Sequence, residues 1–134
     1  VLHPGGNLGL QMLTVSQLMR NKSEMAIVKD DMTMSFVVSR MTQSGFGVAI
    51  LVDENGTLSG IITDGDLRRN INDILTLSPR QIATLNPTSV KPTDLVSVAL
   101  EKMEKSKVYA IVVIEHDKPI GLLRMHDVLR SGIK

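Results

Sequence analysis

No cysteine occurs in the 134 residues, which excludes disulfides and thiolate metal sites and suits a reducing compartment, so the cytoplasm is the expected location. Tryptophan is absent too, and one Tyr and two Phe leave few platforms on which single-stranded bases could stack. Neither sign of charge is in excess: the net charge is +1, acids and bases are interspersed, and no nucleic-acid partner is expected. No apolar run approaches the roughly 18–20 residues that span a membrane. The opening Val1-Leu2-His3-Pro4-Gly5-Gly6 lacks the basic flank and apolar core of a signal peptide. Three scattered histidines without an acidic cluster give no metal site and no resident cofactor.

What is abundant is aliphatic. Hydrophobic residues make up 43% of the chain, and with so few aromatics the core must be built from Val, Ile, Leu and eight Met. A chain of this length buries about two-thirds of its unfolded surface, whereas two units of roughly sixty residues would each be marginal alone.

The chain is organised around Gly60-Ile61-Ile62-Thr63-Asp64-Gly65-Asp66-Leu67-Arg68-Arg69, which reads as a short apolar strand running into a helix. It returns as Gly121-Leu122-Leu123-Arg124-Met125-His126-Asp127-Val128-Leu129-Arg130, 61 positions on. The chain is a duplication. Residues 1–14, with Pro4 and three glycines, suit a linker, and the start without Met suggests a piece of something longer. Residues 15–76 and 77–134 form the two repeats.

In the first repeat Ser16 is the expected cap of a short helical turn to Met19, and Ala26-Ile27-Val28 a strand. A helix from Asp31 or Thr33 to Ser44 carries Met34, Val37, Val38 and Met41 at helical spacing, and Gly45 ends it. The unbroken run Val48–Val52 is a strand covered on both faces. Asp53-Glu54-Asn55-Gly56 is a tight turn, Leu58–Thr63 the antiparallel return, and a helix runs from Asp64 to about Asn72. In the second repeat Pro79–Ala83 is the short turn and Thr88–Val90 the first strand. Asp94 caps a helix with Leu95, Val98, Ala99, Leu100 and Met103 inward. Tyr109–Ile114 is the buried strand, Ile120–Arg124 the return, and Met125–Ser131 a helix that Gly132 terminates. Each repeat is strand, helix, strand, strand, helix.

This duplicated βαββα order, with Gly-apolar-apolar-Thr-x-x-Asp at the last strand-to-helix junction, resembles tandem CBS domains. The resemblance implies an α+β pair of repeats related by a pseudo-two-fold, binding AMP, ATP or S-adenosylmethionine and regulating an attached enzyme or channel. His3-Pro4-Gly5-Gly6 with Leu8-Gly9, Val15-Ser16-Gln17-Leu18-Met19, Thr63–Arg69 and Met125-His126-Asp127 are similar to bacterial D-arabinose-5-phosphate isomerases. Those enzymes join a sugar-isomerase (SIS) domain to a CBS pair and interconvert ribulose 5-phosphate and arabinose 5-phosphate for Kdo and lipopolysaccharide synthesis. On that likeness this chain is the regulatory part, non-catalytic by itself. The likeness further implies self-association as a homodimer, with the parent enzyme a homotetramer.

Thr63 and Asp66 form a capping box, the hydroxyl and carboxylate satisfying two free backbone donors. The resemblance adds that this Asp, and its counterpart Asp127, accept hydrogen bonds from ribose hydroxyls, with the Thr63 position near phosphate. It implies ligand contacts also at Asp64, His126 and the backbone of Ala26, Ile27, Ser89 and Val90. His3 would serve isomerisation only together with the missing isomerase domain. Arg124 departs from the pattern. Either its planar fork of donors selects a ligand with an extra anionic group, CMP-Kdo in the family context, or it pairs with Asp127 or Glu115. Adenine nucleotides, and a ligand-free dimerisation module, are the alternatives.

Overall fold

The computed structural model describes residues 12–131. The linker expected over residues 1–14 lies mostly outside that range, and His3 and Gly132 lie wholly outside it. Within it are six helices and eight strands in two sheets, an α+β arrangement.

The chain divides into two compact units. One comprises residues up to Asn21, Thr88–His116 and the stretch from Ile120 onward; the other comprises Lys22–Pro87 with Asp117–Pro119. Each unit therefore takes most of one repeat together with the short opening segment of the other.

In the second unit β2 (Ala26–Lys29) runs parallel to β3 (Val48–Val52), joined by helix α2 (Met34–Ser44). Thr33 caps α2 by accepting the Phe36 N–H at 3.2 Å, and Gly45 ends it at φ 74°, where a side chain would be strained. All five residues of β3 are buried, as its aliphatic run requires. Strand β4 (Leu58–Thr63) returns antiparallel, placing Val48 opposite Thr63 and Ile50 opposite Ile61. The Asp53 carboxylate holds the intervening turn by accepting the Asn55 and Thr57 N–H groups at 2.8 and 2.9 Å. Helix α3 (Asp64–Arg69) follows and stops at Asn70, short of the expected Asn72, because Asn70 leaves helical geometry. Helix α4 (Pro79–Ile82) and β5 (Thr84–Leu85), which open the second repeat, close this sheet in the order β2-β3-β4-β5.

The first unit mirrors that order. Its sheet is β1-β8-β7-β6: β1 (Arg20–Asn21) pairs antiparallel with β8 (Lys118–Arg124), and β6 (Ser89–Val90) lies parallel to β7 (Ala110–Glu115). Helix α5 (Val96–Ser106) joins β6 to β7, and α6 (Met125–Arg130) follows β8. Helix α1 (Val15–Leu18) is anchored by the Val15 and Ser16 N–H groups, which donate to Asp94 and Pro92 carbonyls at 2.8 and 3.0 Å.

Several boundaries differ from the sequence expectation. Thr14, not Ser16, caps α1, its N–H donating to the Gln17 side chain at 2.8 Å; Ser78 and Gln81 repeat this 64 positions on as a full capping box before α4. Asp94 does not cap α5. Its carboxylate accepts the Lys91 N–H at 2.9 Å in the preceding turn, and Leu95 occupies the cap. The helix is thereby shifted by one residue, so Val96, Ala99 and Met103 face inward while Leu95 and Val98 are exposed. Tyr109 lies outside β7 and is 81% exposed, and Thr88 lies outside β6.

Each unit has its own aliphatic core. One gathers Ala26, Val28, Met34, Val37, Met41, Ala49, Leu51 and Ile62, with Ile82 contributed by α4. The other gathers Val90, Val96, Ala99, Met103, Ile111, Val113, Leu123 and Val128, with Val15 contributed by α1. The short segments are thus core members, one buried aliphatic each.

Candidate functional site

The two strand-to-helix junctions place Asp66 and Asp127 at the third position of a six-residue helix. These are the two buried acidic residues of the described chain, and an unpaired buried carboxylate would be costly. Each is therefore surrounded by donors.

At the first junction the capping box is complete. Thr63 Oγ1 accepts the Asp66 N–H at 3.3 Å, while Asp66 Oδ2 accepts both the Thr63 N–H and hydroxyl at 3.0 Å. Asp66 Oδ1 accepts Arg69 Nη2 at 2.6 Å and the Thr84 hydroxyl at 3.1 Å. The Arg69 side chain is 68% exposed. Thr84 comes from β5, whose pairing with β4 sets it opposite Ile61.

At the second junction Arg124 replaces Thr63, and no side chain caps α6. One of its free donors is met from elsewhere, the Met125 N–H donating to the Tyr109 carbonyl at 2.8 Å. Arg124 instead grips Asp127 in a fork, Nε to Oδ2 at 2.8 Å and Nη2 to Oδ1 at 2.9 Å. A second fork comes from Arg20 of β1, Nε to Oδ2 at 3.3 Å and Nη2 to Oδ1 at 3.0 Å. Arg20 stands opposite Leu122, the counterpart of Ile61, so Arg20 and Thr84 occupy equivalent places. Hydrogen bonds from Arg124, then from Arg20, with the charges of both, outweigh burial and hold the Asp127 carboxyl down at about 2.

The same glycine serves both junctions. A Cβ on Gly60 would stand 2.8 Å from the Thr84 carbonyl oxygen, and one on Gly121 would collide with the Arg20 carbonyl oxygen. Only a residue without a side chain lets the short strands approach closely enough to reach the carboxylates.

Of the other anticipated positions, Asp64 and His126 are exposed beside the two carboxylates. Ala26 and Val90 are buried, Ile27 and Ser89 half-buried, in the first strand of their respective repeats. The Ser89 carbonyl accepts Lys102 Nζ at 3.0 Å. A hollow of about 240 Å³ lies beside α3, lined by Val38, Met41, Gly47, Asp64 and Leu67. A larger groove of about 350 Å³, at the ends of β2 and β3, is lined by Asp30, Asp31, Asp53, Glu54 and Arg80 and contains none of the candidate residues. Among the described residues no cluster of His, Asp or Glu could hold a metal, and no helix is long and apolar enough to cross a membrane. Arg20 and Thr84 were not anticipated. Their only signal in the sequence was the repeated Thr/Ser-x-x-Gln box three residues upstream of each.

A family model described as CBS domain matches residues 15–73 and 80–134. The chain belongs to the CBS domain family. As a tandem CBS pair it is 37% identical, over 136 residues, to the arabinose 5-phosphate isomerase KdsD of Pseudomonas aeruginosa, covering 98% of this chain and 42% of that enzyme. The Escherichia coli enzyme of the same name is 33% identical, with 98% and 41% covered. The CBS pair thus spans about two-fifths of the length of these curated relatives. Among solved structures, CBSX2 in complex with AMP, a CBS-pair protein of Arabidopsis thaliana, superposes with a TM-score of 0.78 at 21% identity, covering 88% of this chain and 94% of that one. A CBS domain pair in complex with 5′-methylthioadenosine and S-adenosyl-L-methionine gives 0.79 at 18% identity, covering 89% and 98%. These likenesses establish the CBS-pair fold.

Proposed function

We propose that this CBS pair is the regulatory, nucleotide-binding part of a cytoplasmic arabinose-5-phosphate isomerase, and that it performs no catalysis itself. The observation that carries this reading is the recurrence of a buried carboxylate at the same point of both repeats, in a chain 37% identical to KdsD along nearly all its length. Neighbours of the same fold solved with AMP and with S-adenosyl-L-methionine support a nucleotide as the ligand class. The parent enzyme would interconvert ribulose 5-phosphate and arabinose 5-phosphate on the route to Kdo and lipopolysaccharide, with His3 belonging to its isomerase domain. The regulatory ligand is an anionic nucleotide or nucleotide sugar, CMP-Kdo or an adenine nucleotide, contacted at Thr63 and Asp66 or their counterparts Arg124 and Asp127. Self-association of the pair, as a dimer within a tetrameric parent, would let that ligand shift the isomerase domains through its differential affinity for two arrangements.

Thermal melts against CMP-Kdo, CMP, AMP, ATP and S-adenosylmethionine test this. A ligand at a hundred times its dissociation constant adds about 2.7 kcal/mol, a shift of several degrees. A shift with CMP-Kdo alone makes the module a sensor of the pathway's end product, and a shift with adenylates alone makes it an energy sensor. No shift with any of them, alongside strong self-association in sedimentation, leaves a dimerisation module and ends the nucleotide reading.

A further inference from the structure

The two carboxylates are equivalent in position but not in what occupies them. Each accepts four protein donors, which fills a carboxylate's lone-pair sites, so a ligand hydroxyl must displace one. At Asp66 displacement is easy. Arg69 is an i,i+3 partner on the helix surface with its side chain 68% in solvent, and exposed pairs of this kind hold weakly. The Thr84 hydroxyl is on an exposed residue and can turn to water. When either leaves, Thr63 still satisfies Oδ2, and the helix start stays capped.

Nothing at Asp127 yields so readily. All four donors are guanidinium N–H groups in two forks, and the Arg124 side chain is only 17% exposed. Opening either fork strips a countercharge from a part-buried arginine, and opening that of Arg20 also loosens the two-residue pairing of β1 with β8. The carboxyl stays ionised across all ordinary pH, so no protonation relaxes the clamp.

Resting on the nucleotide-binding reading, we propose that the two repeats have divided their roles: vicinal hydroxyls of the ligand are taken at Asp66 alone, one ligand per chain, while Asp127 is closed to ligand and clamps the Arg20 segment onto β8 beneath Arg124. In this arrangement Arg69 is a competitor for Asp66 and not a ligand contact. Removing it raises affinity, an effect that loss of a ligand contact or of structural support could not produce.

Calorimetric titration of the chain with AMP and with CMP, supplied at millimolar concentration, gives affinity and stoichiometry together. The expected results are one nucleotide per chain, at least tenfold weaker binding for Asp66→Asn, and two- to fivefold tighter binding for Arg69→Ala. The 2′,3′-dideoxy form of whichever nucleotide binds should lose at least tenfold on the wild type and little further on Asp66→Asn. Two nucleotides per chain, or Asp66→Asn binding within twofold of wild type, overturns the division of roles while leaving nucleotide binding intact. Should Asp66→Asn fail to fold, Arg69→Ala decides alone: weaker or unchanged binding overturns the proposal, and tighter binding in a 1:1 complex supports it. No binding of either nucleotide to the wild type removes this proposal and, with the thermal melts also flat, the nucleotide reading beneath it.

Discussion

The junctions at Thr63–Asp66 and Arg124–Asp127 share a backbone plan and differ in how the plan is completed. At the first, a residue three positions away supplies the cap, the carboxylate answers it, and the helix start is self-sufficient. At the second, the change from Thr63 to Arg124 removes that reciprocity, and the carboxylate is held instead by Arg124 and by Arg20, 107 residues away. Arg124 at the capping position and Arg20 in the place of Thr84 have together exchanged hydroxyl donors for two charged forks. A duplicated fold can therefore keep its carboxylate in both copies while holding it differently, by hydroxyls and an exposed arginine in one and by two arginine forks in the other.

Mutations can sharpen that comparison, beginning where the copies should agree. Met41 and Met103 are buried at matching places in α2 and α5, and Ala at either should cost about 2–4 kcal/mol by urea unfolding. Unequal losses would mean the cores differ as much as the junctions do. Asp127→Asn deprives two arginines of their shared countercharge and should cost about 2–3 kcal/mol, whereas Asp66→Asn keeps an acceptor oxygen for the cap and should cost about 1 kcal/mol.

Acid should probe the second junction. With its folded value lowered to about 2 from an ordinary 3.8, Asp127 contributes stability that is fully present above pH 4. That contribution, about 2 kcal/mol, is lost as pH falls through 2, so a melting curve against pH should lose its acid step in Asp127→Asn. The smallest effect belongs to Arg69→Ala, expected within about 0.5 kcal/mol of wild type in denaturant because the pair is exposed.

Much of this fold was legible because its signals are local. Gly45 at the end of α2, the Asn55-Gly56 turn and the aliphatic run of β3 each act within a few residues, and each lies where the pattern put it. The start of α5 was misjudged because Asp94 has two uses for its carboxylate, and the turn at Lys91 took it. That moved the helix by one residue and exchanged Val96 for Leu95 in the core. Both carboxylates were visible from the repeat alone. Arg20 and Thr84 were not, since two-residue strands carry no periodicity and their pairing is fixed by Gly121 and Gly60 far along the chain. Alternation and spacing report on neighbours, and these residues act on distant ones.

Two double-mutant cycles, measured by urea unfolding without ligand, test the central claim most directly. One combines Arg20→Ala with Asp127→Asn, the other Thr84→Ala with Asp66→Asn. A coupling of about 1–2 kcal/mol in the first and below about 0.5 kcal/mol in the second is the predicted result, because a charged fork clamps one junction and an exposed hydroxyl merely touches the other. Equal couplings, or a larger one between Thr84 and Asp66, would contradict the division of roles between the two carboxylates.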